Sequence, residues 1–221
     1  MAAAEPAATI RDMSHHLART LLQRLVLLPA VGAVCRPACT GASRLSGLTG
    51  PAVVVANHSS HLDCPVLLCA LPATLRRRTV VAAAADYFFS TRLRGAAVRL
   101  LVGALPVERR APGAASLDAC RRTLSDGNVL VMFPEGTRSR DGRMAAFKRG
   151  AAWLAIETGA PIIPVGIRGA STLMPVGATL PHRGTVEVNI GAPLHAQPAE
   201  SAAELTARLQ HVVGRLAGAG S

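Results

Sequence analysis

The chain is nearly devoid of lysine: Lys148 stands alone beside 23 arginines among 221 residues. Acidic residues are scarce too, 13 Asp and Glu facing 24 Lys and Arg, which leaves a formal net charge of +11 at pH 7. Aromatic side chains number six: one Trp, one Tyr and four Phe. The five cysteines (35, 39, 64, 69 and 120) contain no Cys-x-x-Cys pair, so no metal site is expected. Their odd number does not make a fully paired disulfide framework, and they read as small core residues in a reducing compartment. No Gly-x-Ser-x-Gly elbow is present, which excludes the nucleophilic serine of α/β hydrolases. Acidic residues appear early and no small-residue cleavage site follows a short apolar run, so no signal peptide is expected. The 20 Gly and 15 Pro follow no repeat, which excludes collagen.

What is present is apolar bulk. Half of the residues are hydrophobic and only 17% are charged, too greasy for a mainly disordered chain and enough for one large domain with a substantial core. The mean hydropathy is +0.32 and the isoelectric point about 11.2. A greasy and basic chain suits an environment that is apolar and anionic together. Nucleic acid meets the second demand only, and the arginines are dispersed without a zinc, RNA-recognition or helix-turn-helix signature. A membrane surface meets both.

Residues 8–34 read as an amphipathic helix with a stripe of Leu17, Leu21, Leu25 and Leu28. The uncharged run from Leu25 to Cys35 is eleven residues, short of the roughly twenty a spanning helix needs. Pro29 is expected to kink or end the helix. The segment either lies in a membrane interface or packs on the domain. Residues 36–50 form the loosest stretch. Beyond it, strands are expected at 51–56, 79–85, 104–107, 129–133, 161–167 and 185–190. Helices are expected at 63–71, 91–102, 114–125, 151–157 and 202–216. This alternation indicates an α/β fold, with a mostly parallel central sheet flanked by helices. The organisation is an N-terminal segment, 1–45, before one α/β domain, 46–221. Pro161 and Pro164 must sit at a strand end, edge or bulge.

Two polar constellations follow apolar strands, where α/β proteins place their sites. The first is Asn57-His58-Ser59-Ser60-His61-Leu62-Asp63. Five residues on one continuous helix would set His58 and Asp63 roughly 140° apart. They can meet if His58 lies in the turn and Asp63 at the helix start. The carboxylate would then fix the imidazole tautomer and leave the other nitrogen as a base. Alternatively, Asp63 only caps the helix. The second is Phe133-Pro134-Glu135-Gly136-Thr137-Arg138-Ser139, which brings a glycine together with phosphate donors. It is otherwise a polar turn. Gly103 to Arg109 lies between the two and adds a guanidinium. Tyr87, Phe88 and Phe89, half of the aromatics, line a groove or belong to the core.

These blocks, with the proline-flanked stretch 160–166, resemble the glycerolipid acyltransferase family of the bacterial 1-acyl-glycerol-3-phosphate acyltransferase type. The His-x4-Asp block is His58 to Asp63, the Gly-to-Arg block is Gly103 to Arg109, and Phe-Pro-Glu-Gly-Thr-Arg-Ser is 133–139 without departure. Phe147-Lys148-Arg149-Gly150 looks like the family's stretch after the third block. The resemblance covers roughly 50–195 and implies a glycerol-3-phosphate acyltransferase-like fold. It implies acyl transfer from acyl-CoA or acyl carrier protein to the hydroxyl of a lysophosphatidate, with His58 as general base and Asp63 orienting it. Arg109, Glu135, Gly136, Thr137 and Arg138 would hold the acceptor headgroup. No covalent acyl-enzyme, cofactor or metal is implied. Asp86 replaces a basic residue usual before the second block, and Glu108 an aspartate. These departures leave open another lysophospholipid or specialised lipid as acceptor.

The expected workplace is the cytoplasmic face of the cell membrane, with the protein held peripherally or monotopically. Arg11, Arg19, Arg24, Arg92, Arg94 and Arg99 are expected to face anionic headgroups. Arg76 to Arg78 do the same or form a solvated loop. Outside enzymology, the chain would be a basic nucleic-acid- or membrane-binding protein, or an inactive lipid-binding scaffold.

Overall fold

The computed structural model of the chain describes residues 17–85, 92–108, 114–141 and 143–218. Helix α1 spans Leu17–Val34. The sheet is built from β1 (Cys35–Thr40), β2 (Ala52–Ala56), β3 (Thr79–Ala84), β4 (Ala104–Val107), β5 (Val129–Met132), β6 (Ile162–Arg168) and β7 (Gly184–Ile190). Between them lie α2 (Asp63–Ala70), α3 (Ala73–Arg77), α4 (Arg92–Val102), α5 (Ala114–Ser125), α6 (Gly150–Thr158) and α7 (Ala170–Leu173), and α8 (Ala202–Leu216) follows β7. The spatial order is β1-β7-β6-β2-β5-β3-β4. Among the described residues every strand pairing is parallel except β6 with β7, so the α/β expectation of a mostly parallel sheet holds.

Strand β2 shows why the sheet is a middle layer. Val54 packs into one apolar cluster with Val66 and Leu67 of α2, while Val53 and Val55 pack into another with Leu124, Leu154 and Leu209 of α5, α6 and α8. The alternation is the two-residue period of a strand, and both faces are covered, so the run is apolar throughout. At about 25 cal/mol per Å² of apolar area removed from water, this double burial is the dominant favourable contribution to folding.

Three local expectations change. Residues 35–40 form β1, an edge strand in register with β7, within the stretch read as loose. Its side chains past Cys35 are mostly exposed, so no apolar period announces it. Pro29 does not end α1: a π-helical turn at Gln23–Leu27 precedes it and the helix runs on to Val34. Wider i→i+5 bonding is a known local accommodation in long helices. Pro164 falls inside an interior strand, where the β7 ladder stops at Val165–Ile190 before a single bridge at Ile162–Leu194. Its missing N–H is tolerated in that gap.

The arginines divide differently from expectation. Arg19 does not face headgroups; its Nη2 donates to the carbonyls of Arg76, Arg77 and Thr79 at 3.1, 2.8 and 2.7 Å. Arg78 donates to the carbonyls of Leu48, Gly50 and Gly127, each at 2.8 Å. Carbonyls at helix and strand ends lack partners, and a guanidinium offers five donors in a fixed fork. Burial pushes the Arg19 pKa down from its ordinary value. Gln23, also buried, donates to the carbonyl of Leu101 at 2.9 Å. Helix α1 therefore turns Arg19 and Gln23 inward beside Leu27 and Val31, while Leu17, Leu21, Arg24, Leu25 and Val26 are exposed. The Arg11 position lies outside the described residues. Of the cysteines, Cys35 and Cys120 are core residues as expected, whereas Cys39 is exposed.

Arg19→Ala is expected to cost about 1–3 kcal/mol, because it strands carbonyls that had a charged donor. Urea denaturation measures the loss, and limited subtilisin digestion should then cut first in α1. An unchanged midpoint and digestion pattern would remove the clamp from the account.

Candidate active site

Strands β2, β5 and β6 run parallel side by side, so their C-terminal ends open onto one edge of the sheet. Asn57 follows β2 and is buried there. Its Nδ2 donates to the carbonyl of Ile167 at 3.0 Å and its Oδ1 accepts the Ile167 N–H at 2.7 Å. One amide thus ties the ends of β2 and β6 together. No motif spacing announces this role of Asn57. The available signal was a polar side chain ending a strand that is otherwise fully apolar.

His58 and Asp63 meet. Nδ1 of His58 lies 2.9 Å from Oδ2 of Asp63, with the histidine side chain 20% exposed and the aspartate fully buried. The same oxygen accepts the backbone N–H groups of Ser59 and Ser60 at 2.6 and 2.7 Å. Helix α2 begins at Asp63, so the chain turns in 59–62 and the pair avoids the angular separation of a continuous helix. The turn is pinned again by Ser60, whose hydroxyl donates to the carbonyl of Met174 at 2.7 Å. The hydrogen bond to Asp63 places the proton on Nδ1 and leaves Nε2 as the basic nitrogen. The ring of Phe133 stacks on the imidazole, centroids 4.4 Å apart.

The 133–139 loop straps His58 from both sides. Oε1 of Glu135 accepts the His58 N–H at 2.6 Å, and the His58 carbonyl accepts the Ser139 N–H at 2.9 Å. Oε2 of Glu135 accepts the Ala145 N–H at 2.8 Å. Glu135, expected at the headgroup, is buried with both oxygens on backbone. Burial raises its pKa, against the opposing pull of the Ala145 and His58 N–H groups. Gly136 adopts φ of 75°, in the left-handed region. Thr137 and Arg138 line a cavity of about 340 Å³ together with His58. The cavity runs into apolar ground, among Val81, Val98, Leu101 and Leu117, with Cys64 and Cys120 in its wall. Glu108 and Lys148 reach the same space. A second hollow of about 190 Å³ touches the other side of His58, beside Arg168 and Ser171. Arg109 and Tyr87 to Phe89 lie outside the described residues. Among the described residues no three His, Cys, Asp or Glu side chains group as a metal site requires. The arrangement brings an imidazole, a buried carboxylate, cationic side chains and an apolar recess around one point.

The acyltransferase family model matches residues 36–168. The chain is 33% identical over 163 residues to the chloroplastic 1-acyl-sn-glycerol-3-phosphate acyltransferase of Arabidopsis thaliana, covering 72% of this chain and 44% of that protein. It is 34% identical over 94 residues to the 1-acyl-sn-glycerol-3-phosphate acyltransferase of Bacillus subtilis, covering 42% of this chain and 44% of that one. The matches span about half the length of these relatives. The crystal structure of the 1-acyl-sn-glycerophosphate acyltransferase of Thermotoga maritima superposes with a TM-score of 0.69, over 96% of this chain and 98% of that one, at 21% identity. That likeness bears on the fold.

The raised pKa of Glu135 sets a pH signature. The folded chain holds this proton at pH values where the unfolded chain has released it, so stability should fall as pH rises from the ordinary carboxylate range to the raised value. Thermal melts of wild type and Glu135→Gln across pH 4–8 measure it: the difference curve should decline over that window. A difference that rises with pH would reverse the assignment.

Proposed function

The chain belongs to the acyltransferase family, and from that membership we propose that it moves a fatty acyl group from a thioester donor, acyl-CoA or acyl carrier protein, to the free hydroxyl of 1-acyl-glycerol-3-phosphate, yielding phosphatidate. The observation that carries the reading is the His58–Asp63 hydrogen bond of 2.9 Å at the mouth of an apolar cavity. Nε2 of His58 takes the proton of the acceptor hydroxyl as its oxygen attacks the thioester carbonyl. Asp63 holds the ring and stabilises the imidazolium that forms. The tetrahedral intermediate collapses with loss of the thiolate, which His58 can reprotonate. The cavity is sized and lined for acyl chain, and Arg138 and Thr137, with Arg109, hold the acceptor phosphate beside backbone at Gly136. Glu135 acts one step back, as a positioning residue for the His58 backbone.

Transfer is direct. The cysteines in the cavity wall are poor acyl acceptors: the Cys64 thiol is pushed up to about 12, chiefly by burial and then by Asp63, and the Cys120 thiol to about 11 by burial. A thiol attacks as its thiolate, and at neutral pH both stay protonated.

The reaction takes place at a membrane surface. Helix α1 is long and apolar enough, by length and composition, to cross a bilayer, and only 11% of it lies buried. Its exposed Leu17, Leu21, Leu25 and Val26 favour an apolar phase on the outer side, with the exposed Arg24 at its polar boundary. Another lysophospholipid acceptor is the second reading, supported by the departures at Asp86 and Glu108.

His58→Ala should lower transfer from labelled acyl-CoA to lysophosphatidate by about 10²–10⁴ while leaving the far-ultraviolet circular dichroism unchanged. Asp63→Asn should lower it as well. Full activity in a folded His58→Ala protein would refute the base assignment. Intact mass during turnover should show no acyl adduct, and an adduct on Cys64 or Cys120 would overturn direct transfer.

A further inference from the structure

Among the described residues, Leu180 is the most exposed large hydrophobic side chain, at 78%. The others near or above one-half exposure, Leu17, Leu21, Leu25 and Val26, all belong to α1. A single exposed leucine is ordinary. This one differs in how it is held. The loop 174–183 that carries it is closed at its base, where the His182 N–H donates to the Leu173 carbonyl at 2.8 Å. Inside it the Ala178 N–H donates to the Pro175 carbonyl at 3.0 Å, and Pro181 follows Leu180 directly. A surface loop with its ends tied presents its tip at a fixed place. The Ser60 hydroxyl, on the Met174 carbonyl at 2.7 Å, ties the same loop to the turn beside His58.

The loop also shares its side of the sheet with α1. Leu173 and Met174 pack into the apolar cluster that receives Leu27 and Val31 of α1. Strands β1 and β7 start in register, Cys35 beside Gly184. Val34, the last residue of α1, and Arg183, the last of the loop, therefore arrive at one corner of the sheet. Arg183 is exposed. From Gly169 to Val186 the chain has no Asp or Glu, and the next acidic residue, Glu187, lies 3.6 Å from Arg168. An apolar tip with a basic residue behind it and no acidic one around it in sequence suits a phase that is apolar inside and anionic at its rim.

We propose that the 174–183 loop is a second membrane contact, in which Leu180 enters the interface of an anionic bilayer and Arg183 meets its headgroups. The contact adds to that of α1 and rests on the membrane reading above. A single helix lying on a bilayer leaves the attached domain free to roll about the helix axis. A second point of contact, set beyond the carboxyl ends of β2 and β6, stops that roll. It turns the edge of the sheet that carries His58 towards the lipid. The Ser60 bond makes the path from the contact to the His58 turn one hydrogen bond long.

The full-length protein is compared with Leu180→Trp, Leu180→Glu and Arg183→Gln, with thermal melts to check folding. Vesicles are phosphatidylcholine with or without about one third phosphatidylglycerol, the composition that probes anionic attraction. Brominated phosphatidylcholine serves as the contact quencher. Wild type supplies the background of Trp153, which packs in the cluster on the other face of the sheet. The indole introduced at position 180 should shift to the blue and be quenched on brominated anionic vesicles. Leu180→Glu should lower partitioning into anionic vesicles by about tenfold, from a lost apolar contact and a repelled charge. Arg183→Gln should lower it by about fivefold, with much less change on neutral vesicles. An indole that stays unquenched on vesicles that bind the protein would overturn the loop contact and leave α1 as the anchor. So would a blue shift without vesicles that grows with protein concentration, which would place Leu180 against a second copy of the chain. Unchanged partitioning in Leu180→Glu would count against it equally. A quenched indole in a wild-type background that transfers no acyl group keeps the loop contact and refutes the acyltransferase reading.

Discussion

Asp63 Oδ2 accepts three donors at once, Nδ1 of His58 and the backbone N–H groups of Ser59 and Ser60, at 2.6–2.9 Å. A carboxylate taken out of water costs several kcal/mol unless hydrogen bonds replace its hydration. Here one oxygen receives them all, and Oδ1 is buried with no hydrogen-bond partner among the described residues. The hydrogen bonds are thus concentrated on the oxygen that meets the imidazole, which His58 shares with the Ser59 and Ser60 N–H groups. The same bonds fold the 59–62 turn, so the orienting group and the shape of the loop are one feature. Removing the carboxylate would lose the turn's anchor along with the charge.

Around that turn the edge of the sheet is stitched shut by side chains from neighbouring strands. Asn57 joins β2 to β6 through both polar groups of Ile167, and Glu135 with Ser139 joins the loop after β5 to the backbone of His58. Each link spans a long stretch of sequence, 110 residues for Asn57 to Ile167 and 77 for His58 to Glu135. In the proposed role of base, an imidazole with one free nitrogen must be held in one orientation, since small misplacements of reacting groups are costly. The imidazole is held by hydrogen bonds at its backbone, by Asp63 at its edge and by Phe133 on its face.

Much of this was legible beforehand. The strands at 51–56 and 129–133 declare themselves by apolar runs, and the structure places β2 and β5 there. The polar blocks after them point to one edge because parallel neighbours end together. What was not legible depends on partners far along the chain. Strand β1 has a proline, an arginine and mostly exposed side chains, and only its register with β7 makes it a strand. Glu135 sits in a motif full of phosphate donors, yet its carboxylate points at two backbone N–H groups. Nothing local distinguishes a carboxylate that meets a ligand from one that meets the chain. Pro29 carries a strong helix-ending signal, and a π-helical turn absorbs it.

The positive charge of the chain also changes meaning once the arginines are placed. Arg19, Arg76 and Arg78 donate to backbone carbonyls, so part of the +11 works inside the fold and is not available to an anionic surface. Arg19 holds α1 against Thr79, and Gln23 holds it against Leu101 at the wall of the larger cavity, whose lining includes Leu27 from α1 itself. A helix fastened in that way leaves Leu17, Leu21 and Leu25 outward, an exposed apolar stripe unlike that of a helix on a water-soluble domain. The inward side of α1 is shared: Arg19 and Gln23 hold it in its first half, and Leu27, Val31 and Val34 pack on the core in its second. Greasiness and basicity, which pull in opposite directions in the composition, thus meet on one helix, where Arg19 faces in while Leu17, Leu21 and Leu25 face out beside an exposed Arg24.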